Sequence, residues 1–347
     1  PPTPQRIRAA PPQPLTKKKA KAMAAAVAAP IEPVSVPTAL GGREVLDVGV
    51  NVLNLQKIEN PQASLHQCAS KYGAQAVRSV FEKLELKDKV SPFEELNLSD
   101  NNIGDDGAQW LLQGLTSTTS TGESVGKNLK VLLMPRARFG TAGMKAMGGV
   151  IGASTSLENV ILSSNICDAE GVEGEFCAGL AKNKSVKSLC LAACRLGNKG
   201  VAHLCDGPLK SHPTLGHISL QYNRLEAAAA KSLAQMLAVN QALRFLDICG
   251  NSIGTEGALA LVEGLKNNKG RLTRIAVAQN EIQLAGAKAF CDFFMSKAGA
   301  KIEFMDLRHN AVPYPGMVKL RKELGKPMDG PEGWMLLFGE RQLLLNR

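Results

Sequence analysis

The sequence predicts an α/β solenoid: a parallel sheet along one face, helices along the other, about eight units of 28–29 residues, and a cap at each end. Three observations predict it. An apolar strand-like motif recurs at near-constant spacing, and a helical phrase follows each copy at a fixed offset. The composition is 44% hydrophobic yet only 4% aromatic. Stacked aliphatic layers need few rings, and self-similarity at a period of 20–50 residues marks repeat architectures.

The strand motif reads L-x-x-L-x-L-x-x-N-x-L, first at Phe93–Gly104 and last from Ile302. Its second anchor falls at Leu96, Leu132, Val160, Leu189, Ile218, Leu246, Ile275 and Met305, and from Leu132 onward the spacings are 28, 29, 29, 28, 29 and 30. Six residues after the Asn position begins a phrase of the form G-A-x-x-L-A-x-x-L, as in Gly107–Leu115 and Gly257–Leu265. Its apolar offsets form one helical stripe. In the third unit the phrase starts on time at Gly171 but runs one residue long, to Leu180. Each unit is therefore a short strand, a turn and a helix of about three turns, stacked through right-handed crossovers. A strand is narrower than a helix, so the sheet lines the inside of a curve, a horseshoe.

The Asn position holds Asn101, Asn165, Asn223, Asn251, Asn280 and Asn310, with Cys194 once and Ala137 once. An inward amide or thiol there satisfies backbone groups where strand pairing stops; leaving such a group unmet costs about 1–3 kcal/mol. Ala137 cannot do this, so the second unit is expected to be the most irregular, beside the polar insert Thr116–Asn128.

On these motifs, residues 93–325 resemble the ribonuclease-inhibitor-like leucine-rich repeats, with 28- and 29-residue units, Asn or Cys in the ladder and long outer helices. The resemblance implies a leucine-rich-repeat solenoid with a parallel concave sheet and convex helices. Function in such scaffolds rests on the exposed surface.

The ends complete the expected organisation. Residues 1–44 form a basic Pro/Ala/Lys-rich extended tail, residues 45–92 an N-terminal cap, and residues 326–347 a C-terminal cap. Val50, Leu53 and Leu55 imitate half a unit, and Ala63–Leu86 reads as a helix. Arg321 stands where earlier helices bury a small residue, and Trp334, Leu336, Leu337 and Phe338 are expected to close the far end. The tail lacks the apolar content to form a core.

Net charge is +10, and the tail's Arg6, Arg8, Lys17, Lys18, Lys19 and Lys21 against Glu32 supply half of it. This cluster suits a solvated polybasic tail, a phosphate-binding arm for RNA, including ribosomal RNA, or a contact with an acidic protein or with its own solenoid. No apolar run is long enough for membrane insertion, and prolines interrupt every apolar stretch before Leu40, against a signal-peptide pattern. The chain starts at Pro1 rather than Met, which leaves room for a removed targeting segment or for a simple sequence boundary. The eight cysteines form no Cys-x-x-Cys pair and no zinc spacing, which suits reduced, intracellular thiols.

Catalytic patterns are not found in the sequence. Gly126-Lys127-Asn128 lacks the spacing and hydroxyl of a phosphate loop, and neither G-x-S-x-G nor H-E-x-x-H occurs. The expectation is a non-enzyme with no cofactor, no metal and no small-molecule ligand. The repeat register instead nominates a protein-binding concave face: Val131, Leu133, Ile161, Cys190, His217, Gln221, Phe245, Asp247, Arg274, Phe304, Asp306 and Arg308. The strip is mostly small or apolar, unlike the basic, aromatic stripe of a nucleic-acid reader.

These features point to a protein–protein interaction scaffold within a large intracellular assembly, in a cilium or cytoskeleton or on an organellar (mitochondrial) ribosome, where the tail would meet rRNA. Ran GTPase-activating proteins share this repeat type, but that family is acidic with an acidic tail, and this chain is basic. A basic horseshoe would likewise repel a basic ribonuclease.

Overall fold

The structure, a computed structural model, describes residues 64–66, 73–75, 77–78, 90–91, 93–325, 335–338 and 340–345. The basic tail, Val50, Leu53, Leu55, Trp334 and the side chain of Leu337 lie outside the described residues.

One eleven-stranded sheet organises the described chain. Strands β1 (Ser64–His66), β2 (Glu95–Asn97), β3 (Val131–Leu133), β4 (Asn159–Ile161), β5 (Ser188–Cys190), β6 (His217–Ser219), β7 (Phe245–Asp247), β8 (Arg274–Ala276) and β9 (Phe304–Asp306) follow in order, all parallel. Each is three residues long, and the central anchors pair in register from Leu65 and Leu96 through Ile275 and Met305. The helices are α1 (Gly104–Thr116), α2 (Thr141–Ala153), α3 (Asp168–Val172), α4 (Glu175–Lys182), α5 (Gly197–Asp206), α6 (Ala227–Val239), α7 (Gly254–Asn267), α8 (Leu284–Met295) and α9 (Tyr314–Glu323). Anchors and helical stripes together form one continuous aliphatic core.

Three expectations need correction. The segment from Ala63 carries strand β1 at Ser64–His66, not helix, and among the described residues helix follows at 74–75 and 77–78. Leu65 alone fills the strand motif there, with Gln62 and Gln67 at the flanking anchors, so the first rung is masked in sequence. The third unit's helix is broken into α3 and α4, and the break falls at Gly174 (φ 68°), which absorbs the extra residue. The second unit keeps full register: Val131 pairs with Asn159, and Ala137 is completely buried. Its insert is an ordered hairpin in which Thr118 bridges Ser124 and Val125 is buried. What the unit lacks is only the side-chain rung. Arg136 bridges the same joint by pairing with Asp100, its Nη2 donating at 2.8 Å.

Elsewhere the rungs are present. Asn251 Oδ1 accepts from the backbone N–H groups of Asn223 (2.8 Å) and Leu225 (3.0 Å), while its Nδ2 donates to Leu220 O (3.1 Å) and Ile248 O (2.7 Å). Asn310 makes the same contacts two positions on, to Asn280, Ile282, Val277 and Leu307. Asn165, Asn223 and Asn280 donate across to Met134, Leu191 and Ile248, and Asn101 donates to Leu98 O (3.1 Å). The Cys194 thiol reaches Leu162 O at 3.3 Å.

A second ladder, not anticipated, runs where each helix returns to the sheet. Asn183 Oδ1 accepts from Ser185 and Val186 N–H (2.8 and 2.7 Å), and Asn240 Oδ1 from Ala242 and Leu243 N–H (3.0 and 2.8 Å). His212 fills the intervening unit, with Nδ1 accepting from Leu215 N–H at 3.1 Å. Ser154 takes the place before them, with Oγ accepting from Leu157 N–H at 3.0 Å.

The far end is closed by a hairpin. β11 (Arg341–Leu344) pairs parallel with β9, and β10 (Met335–Phe338) turns back antiparallel on β11. Leu336, Leu343 and Leu345 are buried, and Phe338 meets Phe294 edge-on at 5.7 Å between centroids. The Arg341 guanidinium lies over the Phe294 ring and donates to Ile302 O (2.8 Å) and Gly299 O (3.0 Å). Arg321, on α9, is buried, 1% exposed.

Two measurements test this scheme. Asn251→Ala should lower unfolding free energy by roughly 3 kcal/mol in denaturant titration, because two buried N–H groups lose their acceptor, whereas Ala137→Asn should raise it by about 1 kcal/mol. His212 is held neutral: burial pushes its pKa down to about 4, with Lys184 adding to the effect. The unfolded chain then binds more protons between pH 6.5 and 4, so stability is full above that window and falls through it on acidification. The loss is roughly 3 kcal/mol. His212→Asn, the amide of the neighbouring units, should flatten the curve.

Candidate protein-docking face

Side chains alternate along each strand, so the first and third residues of every triplet leave the core and face the open side of the sheet. Each nominated concave residue within a strand occupies such a position, and Gln221 and Arg308 continue the alternation two residues further. Val131, Leu133, Ile161, Cys190, His217, Gln221, Phe304 and Arg308 are half-buried, and Arg274 is exposed. Phe245, Asp247 and Asp306 face the same way but are covered by their own neighbours, at 4%, 4% and 0% exposed.

The register brings Phe245, Arg274 and Phe304 side by side on β7, β8 and β9. The Arg274 guanidinium carbon lies 5.1 Å from one ring centroid and 5.0 Å from the other. A cation shared between two rings gains roughly 0.5–2 kcal/mol from each and is held in one orientation. With Cys249, Ala276 and Ala278, the rings form a small apolar cluster separate from the main core.

The next row carries acid. Asp247 and Asp306 flank the fully buried Ala276. Arg308 grips Asp306 through Nε (3.0 Å) and Nη2 (2.9 Å). Asp247 instead receives the Gln221 amide and the Cys249 N–H (3.1 Å), and among the described residues no cation bridges it. Burial raises its pKa, and the Asp306 charge adds to the rise. Burial, together with the Arg274 and Arg244 charges, pushes His217 down. The face is thus a mixed patch with a rigid cation, two rings and a buried carboxylate, rather than a uniformly charged one.

The rim beside it is set by Tyr222, 55% exposed, whose hydroxyl donates to Gln279 Oε1 at 3.0 Å across the intervening unit. Gly250 makes this crossing possible. It sits at φ 70°, and a Cβ there would lie 2.2 Å from the Tyr222 ring. The stack could be anticipated only as a column of residues; the second ladder was legible, since Ser154, Asn183, His212, Asn240 and Asn268 recur every 28 or 29 residues.

The leucine-rich-repeat family pattern matches residues 91–111 and 239–262, which hold strands β2 and β7 and the starts of the helices that follow them. Ribonuclease inhibitor from Sus scrofa is 23% identical over 310 residues, spanning 81% of this chain and 66% of its own length. Ribonuclease inhibitor from Mus musculus is 24% identical, spanning 90% and 72%. The chain has a leucine-rich-repeat fold and resembles the ribonuclease inhibitors over most of its length. Human NACHT, LRR and PYD domains-containing protein 14 is 28% identical over 67% of this chain, which spans 23% of that protein. The chain thus spans about two thirds of the length of the inhibitors it matches. Among its described residues, no helix is long and apolar enough to cross a membrane.

Gly250→Ala should cost at least about 1 kcal/mol, because a left-handed backbone and the ring contact penalise it together. Chemical denaturation should show the loss, and the freed Tyr222 should become more accessible to fluorescence quenchers.

Proposed function

We propose that this protein is a non-catalytic protein–protein interaction scaffold, a structural subunit of a larger intracellular assembly, and that it docks its partner on the sheet face across β6–β9. The Phe245–Arg274–Phe304 stack carries this reading. Arginine and aromatic side chains in packed surroundings are the groups that dominate binding energy at protein interfaces. Here they are immobilised before any partner arrives, so little ordering entropy is lost on docking. The half-buried Val131, Leu133 and Ile161 extend the same face toward the first units with apolar surface suited to a polypeptide.

A second reading adds RNA. The tail charge of +5 supports an RNA-bound subunit, such as one of an organellar ribosome, with Lys17, Lys18, Lys19 and Lys21 on phosphates. Deletion of residues 1–44 tests it, since tail-mediated RNA binding must vanish with the tail.

The docking reading is tested in cells by placing a photo-crosslinking residue at position 274 and, as a control, at Lys231 on the helix side. The expected result is a discrete protein adduct from position 274 alone, and Arg274→Glu should abolish co-purification of that partner. Equal labelling from both positions would reject the docking face.

A further inference from the structure

The two long edges of the solenoid differ in charge. On the edge where the chain passes from helix to strand, Lys182, Lys184, Lys210, Arg244, Lys269 and Arg271 are all exposed. They occupy four consecutive returns, those leading into β5, β6, β7 and β8. The opposite edge, at the helix starts of the same region, mixes Arg195 and Arg224 with Asp168, Glu170, Glu226, Glu256 and Glu281.

What marks the strip is the succession of exposed cations without acidic partners on four consecutive returns. Some basic residues elsewhere on the body meet carboxylates: Lys130 with Glu94 (3.2 Å), Lys231 with Glu256 (2.6 Å), and Lys288 with Glu323 (2.9 Å). On the strip itself, Lys187 and Lys266 do so, with Glu158 (2.8 Å) and Glu263 (3.3 Å). Among the described residues, none of the other six has an acidic partner; Lys184 only returns to the Ala181 carbonyl (3.0 Å). Helix-dipole compensation accounts for part of the set, since Lys182 sits in the last turn of α4 and Lys184 donates to the Ala181 carbonyl at that helix end. It does not reach Arg244 and Arg271, which lie well past the ends of α6 (Val239) and α7 (Asn267).

We propose that this edge is a binding strip for the phosphate backbone of an RNA strand, independent of the docking face and of the N-terminal tail. Charge complementarity names the occupant's sign, and the lack of anchors names its class. A protein interface needs a desolvated apolar centre. The exposed apolar groups at these helix ends, Val239 and Met295, stand two units apart. Unpaired cations succeeding one another along a linear edge suit a linear polyanion held by counterion release, without base readout.

The test uses the 347-residue chain, so that the tail is common to every sample. Binding of a single-stranded RNA oligonucleotide is measured by fluorescence anisotropy from 50 to 200 mM salt, for the parent and for a Lys184→Ala, Lys210→Ala, Arg244→Ala, Arg271→Ala variant. These side chains are exposed, and an unchanged melting temperature confirms the fold. The variant should bind at least tenfold more weakly at the middle of that range, with a log–log salt slope shallower by about 3, since each single-strand phosphate contact contributes about 0.7. Arg195→Ala with Arg224→Ala on the opposite edge should change affinity less than twofold. An unaltered slope in the four-site variant would overturn the proposal. So would polyglutamate competing as well as RNA of equal charge, which would assign the strip to an acidic protein.

Discussion

A three-residue strand cannot stack on the next one unless something disposes of the backbone groups exposed where pairing stops, and in this chain an inward amide does so. Asn251 shows the complete solution, two N–H groups accepted from the unit before and carbonyls served in both units. The side chain is wholly enclosed, so the bonds are made in a low-dielectric interior where an orphaned partner would be costly. Cys194 keeps one donor of this set, and Ala137 keeps none. The joint at Ala137 still holds register because the main-chain rungs persist, such as Gly104 N–H to Ala137 O at 3.0 Å, and because Arg136 spans it from outside. The second ladder answers the same requirement at the other corner, at the four returns of Ser154, Asn183, His212 and Asn240, so the central units are pinned there as well.

With the corners fixed, the sheet face becomes a rigid lattice of positions roughly 4.8 Å apart from strand to strand. Chemistry on that face is decided by columns rather than by sequence neighbours. Phe245, Arg274 and Phe304 lie far apart along the chain yet form one stack, and Asp247 and Asp306 bracket an alanine through the same alignment. The distribution is spatial: two rings and a cation stacked on the sheet face, and exposed cations without acidic partners along one edge.

The fold was legible because periodicity survives substitution at single positions. Eight anchors and the phrase behind them specified strands β2–β9 and the helices between them. Strand β1 was not legible, because Leu65 keeps one anchor of the motif while Gln62 and Gln67 dilute the rest. The split at Gly174 was visible only as one surplus residue, since a stripe does not say whether a helix will stretch or break. On the docking face, positions were readable and burial was not. Asp306 reads as an exposed charge until Arg308, two residues on, is seen folded over it. Likewise, nothing in the composition distinguishes a paired lysine such as Lys187 from an unpaired one such as Lys184; only the position of Glu158 one strand away does so.

The terminal hairpin bears on how such molecules avoid one another. A parallel stack that ended at β9 would offer a second copy an edge of the same polarity as every interior rung, an invitation to head-to-tail growth. β11 accepts that edge in the parallel sense, and β10 then reverses it. The outermost strand runs against the grain of the repeat, so another copy's parallel rung cannot continue the series in register. A strand of reversed polarity at this edge thus works against head-to-tail addition of a second copy's repeats.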